Sequence, residues 1–452
     1  MKFQIRSAIF LYCGLLLVTL ARSPACSAQP PAPYRITLQD AIHKALQANL
    51  NVLEARTQVQ EDEGARARSL SAALLPRVNA ESYANYQNRN LRAFGISVPG
   101  IPLPSVVGPF SNYDFRIYAQ QNVVDLQSYS ALKASERSLD AGKMDERDAR
   151  DLIVRVVAGL YLNAQSAQAR VEAAQTRVTD SSTLFKLAKD KHDAGTATGV
   201  DVLRAQVQLA NDKQALLEAQ NIYQQSLLQL ARNLGMSPGT PLELAEPLEY
   251  RALAQPQPED LLPAALADRA DYLSLDRQRR SLLEQQRANR ARSYPRLSVN
   301  GNIGELGRSI GSSATIGLIQ GQIDFTVFDR DREGEAQELA GRVQRVEDQI
   351  ADLGRGVEEE IREALLNLDS AAQQVSVAAD GQGLARRELE EAQDRFQAGT
   401  ANNVEVVTAQ DELARAEENY ILAVSAHVDA KFALARSLGD TEKNILGFSA
   451  KP

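Results

Sequence analysis

The sequence predicts a mixed α/β chain built from two tandem copies of one unit, each a helix, a pair of amphipathic strands and a long helical hairpin. Three observations predict it: an internal repeat, very long proline-free stretches, and short segments of strict apolar–polar alternation.

The repeat decides the architecture. Residues 194–206 read AGTATGVDVLRAQ and residues 398–410 read AGTANNVEVVTAQ, an offset of 204. The same offset relates Gly235 to Gly439 and VVD at 123–125 to VFD at 327–329. Earlier, LPRV at 75–78 answers YPRL at 294–297 at an offset of 219, so the extra 15 residues belong to a longer loop in the first copy. The expected divisions are an export signal at 1–28, a first repeat at 29–235, a linker at 236–257, a second repeat at 258–439 and a tail at 440–452.

Within each copy the order is the same. An amphipathic helix opens it, over 37–71 and 258–292, and a proline ends that helix because the residue before proline leaves the helical region. Strand-like alternation follows. In 112–125, Tyr113, Phe115, Ile117 and Ala119 share one face; in 317–329, Ile319, Ile323, Phe325 and Val327 do. Such a face suits a barrel strand between lipid and water and equally a half-buried soluble strand. The loops at 98–110, rich in Pro, and 304–313, rich in Gly and Ser, carry turn chemistry.

The longest elements come last. No proline stands between Pro109 and Pro238, or between Pro295 and Pro452. Asp125 and Asp329 are placed to cap helices that run about 65 residues, roughly 100 Å at 1.5 Å per residue. A return helix of about 35 residues then stops at a glycine. Leu152, Val156, Gly159 and Leu160 are expected to line the seams. Two such hairpins need neighbours to bury them.

Composition agrees with export and extension. Lys2 and Arg6, the apolar run 9–20 and small residues up to Ala28 read as a cleaved signal peptide. That run is too short to span a bilayer. Cys13 and Cys26 both fall in the signal, so cleavage after Ala28 leaves no thiol; lipidation of Cys26 is the rival reading, poorly supported by Pro24. Loss of Lys2, Arg6 and Arg22 takes the formal charge from −8 to −11, which argues against nucleic acid as partner. Beyond the signal no apolar run could form a spanning helix, so any membrane passage uses β-strands.

Catalytic and metal motifs fail. DRDREG at 329–334 starts like a calcium loop but has Ala340 at the twelfth position. GNIGELG at 301–307 has the wrong glycine spacing for a dinucleotide. His43, His192 and His427 are isolated, without metal-ligand spacing. No cofactor, metal or catalytic residue is expected.

Helix, strand pair and long hairpin, twice after a signal peptide, resembles the TolC-like outer-membrane efflux proteins. The resemblance covers almost all of the chain after the signal, and its most specific part is the paired turn at 194–206 and 398–410. It implies a homotrimer whose chains each give four strands to a 12-stranded β-barrel in outer-membrane lipid, continued by an α-helical coiled-coil barrel across the periplasm. It implies a periplasmic adaptor and an inner-membrane pump of RND, ABC or MFS type as partners, and a passive conduit. By position, Gly195, Thr196, Gly399 and Thr400 would form adaptor-contacting tip turns. Asp201 and Glu405 would face the closed aperture; at about 7 Å and an effective dielectric near 20, like carboxylates repel by roughly 2 kcal/mol per pair. A helix-start carboxylate held by the N-terminal dipole is the plainer reading of Glu405. The family's arginine two residues after the second tip glycine is Ala401 here, and a second ring acid would fall at Thr408. Tyr113, Phe115, Ile117, Ile319, Ile323 and Phe325 would face lipid. The competing classes are a periplasmic adaptor and an exported coiled-coil scaffold without a pore. The adaptor should have one hairpin flanked by compact β domains rather than two equal copies with a strand pair before each. The scaffold predicts a soluble, elongated particle.

Overall fold

The computed structural model describes residues 33–95, 100–102, 104–253 and 258–449. The expected export signal, with Cys13 and Cys26, lies outside them. In chain order the first copy gives β1 (Tyr34–Ile36), α1 (Leu38–Ala48), α2 (Leu50–Leu74), β2 (Arg77–Asn90), β3 (Val106–Val124), α3 (Leu126–Asp193) and α4 (Gly199–Asn233). The linker holds β4 (Leu242–Leu244). The second copy gives α5 (Pro258–Asp268), α6 (Ala270–Ala291), β5 (Arg296–Gly307), β6 (Ser313–Asp324), α7 (Asp331–Gln397) and α8 (Asn403–Ser437), and α9 (Thr441–Ser449) follows.

The opening helices are each broken, where one continuous helix was expected. At Asn49 the backbone turns extended, and its Oδ1 accepts from the Asn51 N–H at 3.0 Å, so the residue ends α1 and caps α2. Arg269, also extended, separates α5 from α6. β3 begins at Val106, inside the expected proline-rich loop. Residues 304–307, expected in the loop rich in Gly and Ser, lie within β5. At the other end β6 stops at Asp324, so Phe325 and Val327 fall beyond the strand. Asp125 caps α3 as expected, accepting from the Ser128 N–H at 3.0 Å. Asp329 stands one residue ahead of the cap position of α7: it accepts from the Arg332 N–H at 3.3 Å and pairs with Arg292 at 2.6 Å.

The largest core sits where both hairpins meet the opening helices. Ile36, Ile42, Val52, Ile153, Val157, Tyr161, Leu162, Leu230 and Phe432 are buried there together. β1 pairs in parallel with β4, tying the segment just before α1 to the linker. The Tyr161 hydroxyl donates to the Ile36 carbonyl at 3.2 Å, fixing that strand to α3. This core draws Ile153 and Val157 inward, so Leu152 and Val156, expected in the seam, instead stand 47% exposed. The tail is not featureless: α9 docks through the Thr441 N–H, which donates to Asp151 Oδ1 at 2.9 Å.

α3 and α7, with 68 and 67 residues, are each roughly 100 Å long at 1.5 Å per residue. Each returns through a 35-residue partner, α4 or α8. The two hairpins pack side by side through α3 and α8, where Arg155 bonds Asp429 at 2.8 Å and Arg170 bonds Glu418 at 2.8 Å. No helix of the described residues is long and apolar enough to cross a membrane.

Candidate functional site at the sheet and the hairpin tips

The long strands form one antiparallel sheet in the order β2-β3-β5-β6. Each has at least 12 residues, enough for a tilted bilayer crossing of about 9–11. Register sets Tyr113, Phe115 and Ile117 against Ala84, Ser82 and Ala80 of β2. On the other side Ile117 opposes Ile303, while Gly301 and Leu297 oppose Ile319 and Ile323. Opposed residues share a face, so Tyr113, Phe115, Ile117, Ile319 and Ile323 lie on one predominantly apolar surface. Its acid, Glu305, accepts from Thr315 Oγ1 at 2.7 Å near the β5–β6 turn. Phe325 is not part of this surface, because β6 has already ended.

The opposite face is polar: Glu81, Tyr83, Asp114, Arg116, Asn302 and Gln320. Asp114 accepts from the Tyr83 hydroxyl and from Arg116 Nε, both at 2.7 Å. Arg116 lies opposite Gly304, where a Cβ would stand 2.0 Å from the Phe115 carbonyl oxygen. Glycine is required there by the approach of the two strands. Among the described residues β2 and β6 each have one neighbour, leaving two open sheet edges.

At the far end both turns are built identically. Gly195 and Gly399 have φ +72° and +75°, the left-handed conformation. Their N–H groups bond the carbonyls of His192 and Phe396, and those of Thr196 and Thr400 bond Lys191 and Arg395. This is a Schellman stop, reinforced by each threonine hydroxyl donating to the same Lys191 or Arg395 carbonyl, at 3.0 and 3.1 Å. Asp201 belongs to a capping box: its Oδ2 accepts from the Thr198 N–H at 3.0 Å and from the Thr198 hydroxyl at 2.7 Å. Glu405, half exposed, pairs with Arg395 Nη1 at 3.3 Å. Ala401 donates its N–H to the Arg395 carbonyl at 3.3 Å. Thr408 lines an open apolar groove with Val200, Leu203, Val207, Val404 and Val407.

Three tip residues were missed by motif reading. Lys191 Nζ donates to the carbonyls of Phe396 and Gln397, at 2.6 and 3.0 Å. Asn403 Nδ2 donates to the Asp201 carbonyl at 2.9 Å, and Arg395 holds Glu405. The signal for two of them was present: the offset of 204 places Lys191 and Arg395 in register, a cation four residues before each turn glycine. Farther up the seam, burial pushes the carboxyls of Asp180, Asp212 and Glu417 above their ordinary range. His427 is buried against the Tyr250 ring at 4.8 Å, and desolvation pushes it down to about 4. No group of three His, Cys, Asp or Glu among the described residues could hold a metal ion.

The family is decided by sequence: residues 41–236 and 261–440 match the outer membrane efflux protein family. The chain belongs to that family. Outer membrane efflux proteins are non-enzymatic channels. No curated protein matches the chain by sequence. Solved structures share its fold. The outer membrane protein VceC of Vibrio cholerae superposes with a TM-score of 0.74 at 19% identity, covering 89% of this chain and 96% of that one. The CmeC outer membrane channel of Campylobacter jejuni gives 0.74 at 16%, covering 91% and 89%. The open state of the MtrE outer membrane channel of Neisseria gonorrhoeae gives 0.72 at 16%, covering 89% and 88%. The efflux protein fold thus extends over the strands, the hairpins and the opening helices alike.

Proposed function

We propose that three copies of this outer membrane efflux protein close into one conduit through the outer membrane and periplasm, opened at its hairpin tips by an adaptor and an inner-membrane pump. One observation carries the reading. Leu162 on α3 and Phe432 and Ile421 on α8 are buried inside the chain. Their counterparts at the offset of 204 are Leu366 on α7 and Leu228 and Leu217 on α4, exposed at 71, 50 and 67%. The second side of each hairpin therefore presents apolar groups at the positions the first side buries. Packing α7 of one copy against α4 of the next repeats the internal contact and closes a ring.

The sheet supports the same closure. Joining β6 of one copy to β2 of the next removes the open edges and gives 12 strands from three chains. The apolar face with Tyr113, Phe115, Ile117, Ile319 and Ile323 turns to lipid and the polar face to the lumen. The tip turns at Gly195, Thr196, Gly399 and Thr400, with the valine-lined groove beside them, are the surface for the adaptor. Glu405 lines the aperture; Asp201, held in its capping box, contributes charge from behind.

Single-channel recording in planar bilayers tests this. The detergent-extracted protein conducts with cation preference, and Glu405→Ala lowers that preference several-fold at low salt. Unchanged selectivity would remove Glu405 from the aperture.

A further inference from the structure

We propose that the cavity where the linker crosses α3 and α8 binds a short-chain monocarboxylate, with the Lys431 ammonium holding its two oxygens. The site lies within one chain, apart from the sheet and the hairpin tips, and needs no neighbouring copy. The cavity has a volume of about 90 Å³, against the roughly 10–15 Å³ that one water needs. Leu38, Leu248, Val428 and Phe432 form an apolar wall, and Lys431 and Glu246 are among its polar groups.

Lys431 is 4% exposed. Its Nζ donates to the Arg251 carbonyl, which occupies one of the three N–H donors of an ammonium. Among the described residues no carboxylate pairs with it. The two acids of the cavity are engaged elsewhere. Glu249 pairs with Arg251 at 3.1 Å, and Glu246 faces the Tyr161 hydroxyl and the Leu38 N–H, each at 3.4 Å. An uncompensated buried charge is costly. Burial first, and the Arg251 charge second, hold the Lys431 ammonium below the ordinary lysine range. A bound anion relieves both effects.

The duplication sets a packing residue at the equivalent place. The offset of 204 carries Lys431 to Leu227, which is buried on α4 in the largest core. Helix packing there is served by a leucine, and the second copy has a cation instead. Tethering the Arg251 carbonyl leaves two of its donors for the two oxygens of a carboxylate. Charge and surface then set the class of ligand. One ammonium balances one negative charge, and Glu246 in the same cavity disfavours a dianion such as phosphate. The apolar wall suits a short carbon chain better than a hydrated halide. Because α1, α3, α8 and the linker all line the cavity, the bound anion ties the linker to both hairpins.

A ligand that binds only the folded chain raises its unfolding temperature. The detergent-extracted full chain is heated at neutral pH in sodium propionate, chloride or phosphate at matched ionic strength, with unfolding followed by circular dichroism. Propionate is expected to raise the unfolding temperature several degrees above chloride and phosphate, and the rise saturates. Lys431→Leu loses that difference while sharing the general effect of salt. Val428→Phe, which fills the cavity and leaves the ammonium in place, loses it too, and decides the matter if Lys431→Leu fails to fold. Equal unfolding temperatures in the three salts overturn the proposal. So does a propionate difference retained in either variant.

Discussion

At the scale of single residues, geometry separates positions that the sequence names alike. Gly195 and Gly399 were legible because a Schellman stop is local: a left-handed glycine, then a threonine whose hydroxyl returns to the helix end. Asp201 was legible as an acid but not as a capping-box partner, because its engagement depends on Thr198 rather than on the repeat partner Glu405. Lys191 was not singled out, because nothing in its own helix shows that another hairpin's carbonyls lie within reach. Gly304 is a further case, set by the neighbouring strand and not by a turn. Gly304→Val forces the β3–β5 ladder apart and should cost about 1–3 kcal/mol, as overpacked sites do. Heat stability of the extracted protein on a semi-native gel checks this, and a variant as stable as the parent contradicts the close approach.

At the scale of elements, the repeat and the proline pattern predicted what is present and misplaced where it stops. The breaks at Asn49 and Arg269 escaped notice because the apolar period continues through them; a capping bond made one of them. β6 ended before Phe325 because alternation continued where pairing did not. β1 and α9 were invisible, being short and held by tertiary contacts at Tyr161 and Asp151. The capping box of α4 gives a prediction: Thr198→Ala removes the hydroxyl that accepts from the Asp201 N–H at 3.3 Å and donates to the Asp201 carboxylate at 2.7 Å and should cost about 1 kcal/mol, read as faster hydrogen exchange at the α4 start. Exchange unchanged from the parent would show that the cap is not holding that turn.

The seam between hairpins carries a pH dependence. Burial first, and the Asp411 charge as well, raise Asp212 above its ordinary 3.8, against Ser181 and Arg177, which lower it. An acid whose folded value is raised binds its proton more tightly when folded, so stability falls as pH rises from the unfolded value through the folded one. Acidification across that window restores it. Asp212→Asn should therefore flatten the rise in unfolding temperature on going from pH 7 toward pH 4. The parent slope retained in the variant would assign the dependence elsewhere.

At the scale of the whole molecule, one copy of the chain is an incomplete object. Among its described residues it has two sheet edges without neighbours, and leucines on α4 and α7 exposed where their repeat counterparts are buried. In the closure proposed above, the internal duplication supplies the reason: the contact between the two hairpins of one chain serves as the template for the contact between chains. The duplication was readable in sequence, whereas the unsatisfied second side of each hairpin needed the packing to be seen. The most direct test is the native mass of the protein extracted from the outer-membrane fraction with mild detergent. A species at three times the chain mass is the predicted result. A soluble monomer or dimer recovered from the periplasmic fraction would contradict the conduit and leave an exported coiled-coil scaffold in its place.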